Sequence, residues 1–203
     1  MSMSEQEKSE KIQWLAKMAK VPLRFKSASF DNFQADSKKQ EGVKQKCQNL
    51  VDKFPAILDD GLGGAIFYGT VGTGKTHMAI SIIRALIKKY HARCRYVNVF
   101  DLIDEVRATW SRKDVHADEV IKKFSEYHFL VIDEIGVQYG SDSEKTILFQ
   151  VVNQRSLNKL PTVLISNLDE KGLNECVGER VIDRIYESGG GAIAFTWDSY
   201  RRK

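Results

Sequence analysis

The 203 residues are 42% hydrophobic and 29% charged with a formal net charge of +4. That is enough apolar mass for one packed α/β domain, too little imbalance for a disordered chain, and too mild a basic excess to identify a nucleic-acid partner by itself. No apolar run approaches the ~18 residues of a membrane helix, and the opening MSMSEQEKSEKIQ mixes acids with bases and has no apolar stretch, which excludes a secretory signal; a cytoplasmic protein is expected.

In chain order, 5–20 predicts a short helix with Ile12, Leu15, Met18 and Ala19 at helical spacing, ended by Val21-Pro22. Residues 11–26 hold five Lys/Arg and no Asp/Glu, either a solvated basic arm or a contact for nucleic acid. A second helix is expected over 38–54, with Val43, Cys47, Leu50 and Val51 on one face, before Pro55 and the 59–64 Asp/Gly cluster break the chain. From there strands and helices alternate: strand 65–68, helix 75–90, strand 95–99, helices 101–111 and 117–127, strand 129–132, helix 144–157, strand 162–166, helix 179–186 and a last strand 192–195. Short apolar strands separated by helices signify βαβ units and a mostly parallel central sheet with helices on both sides. Cys47, Cys94 and Cys176 lie far apart with no metal-ligand spacing and read as reduced structural thiols.

Gly69-Thr70-Val71-Gly72-Thr73-Gly74-Lys75-Thr76 satisfies G-x-x-x-x-G-K-[ST] between a strand and a helix. The glycines let successive N–H groups turn toward phosphate oxygens, and the helix N-terminus adds its positive dipole end. Lys75 is placed to reach the β- and γ-phosphates and Thr76 to ligate Mg²⁺; His77 comes directly after. Phe129-Leu130-Val131-Ile132-Asp133-Glu134 is an apolar strand ending in two carboxylates. In a parallel sheet that end lies beside the glycine loop, so Asp133 is expected at Mg²⁺ and Glu134 at the attacking water. Mg²⁺-ATP is the ligand this pair of motifs predicts. Asn167, at the end of the 162–166 strand, either orients that water or contacts the γ-phosphate, or simply starts the next turn. Arg180 and Arg184, at i and i+4, share a helix face and are either ion-paired with Glu179 and Glu187 or poised for a phosphoryl group in a neighbouring subunit.

Together with these motifs, Gly178-Glu179-Arg180-Val181-Ile182-Asp183-Arg184 and above all Phe195-Thr196-Trp197-Asp198-Ser199-Tyr200-Arg201 make the chain similar, from about Phe30 onward, to the DnaC/DnaI-type replicative helicase loaders, a branch of the AAA+ ATPases. The resemblance implies an AAA+ P-loop three-layer αβα domain over 26–203 with an abbreviated lid, preceded by a short helical extension over 1–25. It implies ATP hydrolysis, with Asn167 as sensor I, Arg184 as arginine finger, Arg180 as its support and Arg201 as sensor II. The implied partners are a hexameric replicative helicase, single-stranded DNA and further copies assembled head to tail. The 101–111 helix and the segment after it occupy the place of the family's DNA-facing insert, where Trp110 either stacks on a base or packs in the core with Ile103 and Val106. The Ile12, Leu15, Met18 stripe either docks on the helicase or packs on this protein's own core. The alternative functions are an IstB-type transposition helper ATPase and a nucleotide-gated single-stranded DNA-binding module with negligible turnover.

Overall fold

The computed structural model describes residues 4–61, 63–111, 114, 116–137 and 140–202. Leu62 of the expected turn cluster, part of the segment after Trp110, Gln138 and Lys203 lie outside the described residues. The chain opens with α1 (Glu5–Met18), whose Ser4 hydroxyl accepts from Glu7 N–H while the Glu7 carboxylate takes the Ser4 N–H, so two orphan donors are satisfied reciprocally. A 3₁₀ turn, Leu23–Phe25, leads to α2 (Lys38–Asp52) and α3 (Phe54–Asp60). Next come β1 (Gly64–Gly69), α4 (Lys75–Tyr90), β2 (Cys94–Asn98), α5 (Val99–Arg107), α6 (Ala117–Phe124), β3 (Phe129–Ile135), α7 (Asp142–Leu157), β4 (Thr162–Ser166), α8 (Glu170–Val177), α9 (Glu179–Glu187) and β5 (Gly191–Phe195).

The five strands pair in the order β2-β3-β4-β1-β5, all parallel. Period-two alternation divides their side chains between two cores. Phe67, Val131, Val163 and Ile165 face α1, α2 and α4, whereas Ile66, Leu130, Ile132 and Leu164 face α5, α6, α7 and α9. The result is the expected αβα layering, with the C-terminal strand ends converging on the glycine loop.

Several expectations needed correction. Residues 54–60 are helical because Pro55 sits in the first turn, where its missing N–H costs nothing, and Gly61 closes the helix in the left-handed region at φ 75. Helix α8 arises at Asp169, whose carboxylate accepts from Gly172 N–H. The 101–111 helix begins two residues earlier and tightens into a 3₁₀ turn over Ala108–Ser111. Trp110 there is 63% exposed, so it is not core, while Ile103 and Val106 are. Of the two readings of the N-terminal stripe, packing on the protein's own core is the one seen: Leu15 is 2% exposed, Ala19 is fully buried and Ile12 is half-buried beside them, while Met18 is 43% exposed.

Candidate functional site

β1 delivers the chain into the glycine loop, and α4 begins at its end. Gly72 and Gly74 turn the loop at φ 82 and 94, a region closed to most side chains; a Cβ on Gly74 would stand 2.7 Å from the Phe33 ring. The loop is braced from outside by the C-terminal segment. Trp197 Nε1 donates to Thr73 O (3.1 Å), Thr70 Oγ1 donates to Trp197 O (3.3 Å), and Tyr200 N donates to Gly72 O (3.0 Å).

Lys75 is 5% exposed, and its ammonium folds back onto the loop, donating to Gly69 O (2.6 Å) and Thr70 O (2.7 Å). Burial pulls its pKa down to about 8, against the opposing pull of the Asp133 carboxylate; Arg201 adds a smaller push downward. A cation whose hydrogen bonds go to two neutral carbonyls has more to gain from a phosphate oxygen than from these contacts.

The acidic pair sits where β3 breaks register with β4. Ile132 pairs with Leu164 and Ile135 with Ser166, so the β3 side carries one extra residue across Asp133 and Glu134. Such a bulge re-aims side chains at a strand end. Glu134 takes φ 63 and faces solvent, while Asp133 stays buried. Asp133 Oδ2 accepts from Thr76 Oγ1 and from Tyr96 OH, each at 2.8 Å, and Oδ1 accepts the Glu134 N–H at 2.7 Å. Burial, then the Asp133 charge, pushes the Tyr96 phenol far above its usual range, so it remains a donor. The Glu134 carboxylate accepts from Asn98 Nδ2, while Asn98 Oδ1 caps α5 through Phe100 N–H.

One cleft of about 410 Å³ joins Val71, Gly72, Gly74, Lys75, Thr76 and His77 to Asp133, Glu134, Asn167 and Arg201. Its volume and its glycine-lined cradle fit a nucleoside triphosphate. Among the described residues no group of three His, Cys, Asp or Glu could hold a metal ion alone. The adjacent Thr76 and Asp133 oxygens suit an ion that completes its shell with phosphate and water, as Mg²⁺ does. Asn167 comes after Ser166, whose hydroxyl donates to Ile135 O and accepts from Leu168 N–H, which fixes the turn that aims Asn167 at the cleft. His77 Nε2 meets Ser29 O at 2.9 Å and its ring packs near Phe33, so it ties the cleft to the segment before α2.

Arg180 and Arg184 are not brought to this cleft. Arg180 is exposed on α9; Arg184 pairs with Glu187, and its Nε is buried without a hydrogen-bond partner among the described residues. Sequence reading missed Tyr96 and Asn98, whose only signal is their place at the end of the strand beside the acidic one. It also missed Arg24, Phe25, Asn32 and Gln34, which line the cleft from the N-terminal side.

The family described as IstB-like ATP binding protein matches residues 4–203. The replicative helicase loader DnaC of Buchnera aphidicola subsp. Acyrthosiphon pisum (strain APS) is 33% identical over 203 residues, 99% of this chain and 80% of that protein. DnaC of Escherichia coli (strain K12) is 32% identical over 177 residues, 87% of this chain and 70% of its relative. The crystal structure of the DnaC helicase loader superposes with a TM-score of 0.74 at 22% identity, covering 85% of this chain and 99% of that one. The chain therefore belongs to the IstB-like ATP-binding proteins, among the AAA+ ATPases of the DnaC replicative helicase loader type.

Proposed function

We propose that this chain is an ATP-dependent DNA replication protein that hydrolyses Mg²⁺-ATP in the cleft above β1 and β3 and acts on a hexameric replicative helicase and single-stranded DNA. The observation that carries this reading is the meeting of Lys75, Thr76, Asp133, Glu134 and Asn167 in one cleft of a chain 33% identical to a helicase loader over 99% of its length. The loop N–H groups and Lys75 hold the phosphates. Thr76 and Asp133 would hold Mg²⁺, which when bound supplies positive charge to the phosphate oxygens. Glu134 takes a proton from water, Asn167 orients that water, and Arg201 stands at the rim. The ATPase unit is assigned to 26–203 and the extension to 1–25. Trp110, exposed after α5, offers a ring on which a base of single-stranded DNA stacks.

Arg184 lies away from its own cleft, which favours a role in a neighbour's, with Arg180 in support, as head-to-tail contacts between copies require. Arg184→Ala subunits keep intact pockets and Lys75→Ala subunits keep intact fingers. Each is expected to be inactive alone, and mixtures are expected to regain part of the hydrolysis. No recovery at any ratio, with both variants folded and assembling, assigns Arg184 to a structural ion pair.

Glu134→Gln is expected to retain ATP binding and lose about 10²–10⁴ in turnover, since an amide cannot accept the proton; normal phosphate release by this variant removes Glu134 from its role. The replication role is tested by ATP-dependent loading of the native hexameric helicase onto single-stranded DNA circles. The IstB-like family match supports a second reading, a transposition helper. That reading predicts no stimulation of helicase loading and instead assembly with a transposase that depends on target DNA.

A further inference from the structure

A second groove of about 810 Å³ runs between α1, the 20–31 segment and α4. Its accessible apolar surface comes from Ile12, Ala16 and Val21 on the N-terminal side and Ala85 on α4, over the buried Ile83 and Ile87; Phe30 is the only ring lining it among the described residues. Among the described residues five cations stand around it, Lys17, Lys20, Lys26, Arg84 and Lys88, against the single acid Asp31. All five are exposed, and none takes part in an ion pair among the described residues.

From this pairing of an apolar floor with an unneutralised basic rim, we infer that the groove docks an acidic amphipathic helix of a partner protein, its aliphatic face down and its carboxylates toward the rim. The charge distribution selects this occupant. A small anion would be gripped by cations converging on one buried point, whereas these five are solvated and arise from α1, the segment after it and α4. Single-stranded DNA is bound by stacking successive bases on aromatic rings, and here a single ring is offered. A helix with apolar residues at i, i+3, i+4 and i+7 presents the stripe that such a floor accepts, and acidic flanks add steering and register. The position carries a consequence for the nucleotide cleft. Ser29 lines the groove while its carbonyl holds His77, and Asn32, three residues on, lines the cleft. A partner in the groove therefore touches a segment shared with the ATP site.

The probe is a fluorescein-labelled synthetic helix with Leu at i, i+3, i+4 and i+7 and Glu at the remaining positions, titrated with the full chain and read by fluorescence anisotropy. The parent is expected to bind it. Arg84→Glu/Lys88→Glu is expected to weaken binding at least about tenfold, and Ala16→Trp, which fills the groove from the α1 wall, to weaken it comparably. Both variants change exposed positions outside the nucleotide cleft, so melting temperature and ATP affinity are read in parallel and are expected to match the parent. Should Ala16→Trp melt lower, the charge reversal alone decides. The inference is overturned if the parent does not bind the peptide, if the charge reversal leaves affinity unchanged, or if a peptide with Lys in place of Glu binds as well. It is also overturned, in favour of nucleic acid, if oligo-dT binds the same groove more tightly than the peptide and loses that affinity in the charge reversal.

Discussion

Lys75→Ala is expected to lose tight ATP binding, by about 10²- to 10³-fold in Kd. Among the described residues its ammonium is the one buried cation lining the cleft; Arg24 and Arg201 stand exposed at the rim. A charge-assisted hydrogen bond contributes about 1.5–3 kcal/mol, and Lys75 can offer more than one to the phosphates, each tenfold in affinity corresponding to ~1.4 kcal/mol. The loop amides remain in the variant, because the turn is set by Gly72 and Gly74 and braced by Trp197 and Tyr200. Stability moves the other way. In the free protein Lys75 is a buried cation hydrogen-bonded to two carbonyls, and the cost of burying it outweighs the attraction of Asp133, so its removal is expected to leave the melting temperature unchanged or slightly raised. Titration with a fluorescent ATP analogue beside a thermal melt separates the two effects. Equal affinity in parent and variant places the triphosphate elsewhere, and lost affinity with a collapsed melt would make Lys75 a structural residue.

Whether a feature is legible in the sequence depends on whether its signal is local. α4 begins at Lys75 and ends at Tyr90, and β4 runs from Thr162 to Ser166, as their spacing and flanking residues require. The glycine loop and the carboxylate pair were legible because a fixed spacing carries the chemistry. Strand β3 continues to Ile135 because the bulge at Asp133 and Glu134 interrupts the ladder without ending it, and nothing in a run of residues distinguishes those outcomes. Asn98 and Tyr96 escaped notice because their partners are set by register across the sheet, where Asn98 faces Asp133. Arg155 is a sharper case. Its charge and helical position suggest a solvated face, yet it is fully buried and donates to Thr162 Oγ1 and to the carbonyls of Phe124, Tyr127 and Pro161. Four acceptors from two separate stretches of chain satisfy it, and only the folded state brings them together.

Removing residues 1–20 is expected to cost about 5 kcal/mol of stability, because the extension is part of the core that it covers. Leu15 and Ala19 belong to the same buried cluster as Ile83, Ile87 and Cys94, and loss of a buried leucine side chain alone costs about 2–5 kcal/mol. Strand β2 is an edge of the sheet, and Ala19 O accepts its Tyr96 N–H at 2.9 Å; truncation leaves that donor to water and reopens an edge. The melting temperature is expected to fall by roughly 10–20 °C, at about 2–4 °C per kcal/mol for a chain of this size. The site feels the same change, since the Tyr96 hydroxyl holds Asp133 Oδ2 and the strand that carries it has lost its outer support. Weaker Mg²⁺-dependent ATP binding is therefore expected even at temperatures where the truncated protein stays folded. Leu15→Ala, which keeps the Ala19 contact, is expected to lower the melt less and to leave ATP affinity near that of the parent. If the truncated chain melts with the parent, α1 is a detachable arm and its apolar stripe is free for a partner; if it melts low with ATP binding intact, Tyr96 transmits nothing to the site and the core contribution of Leu15 stands alone.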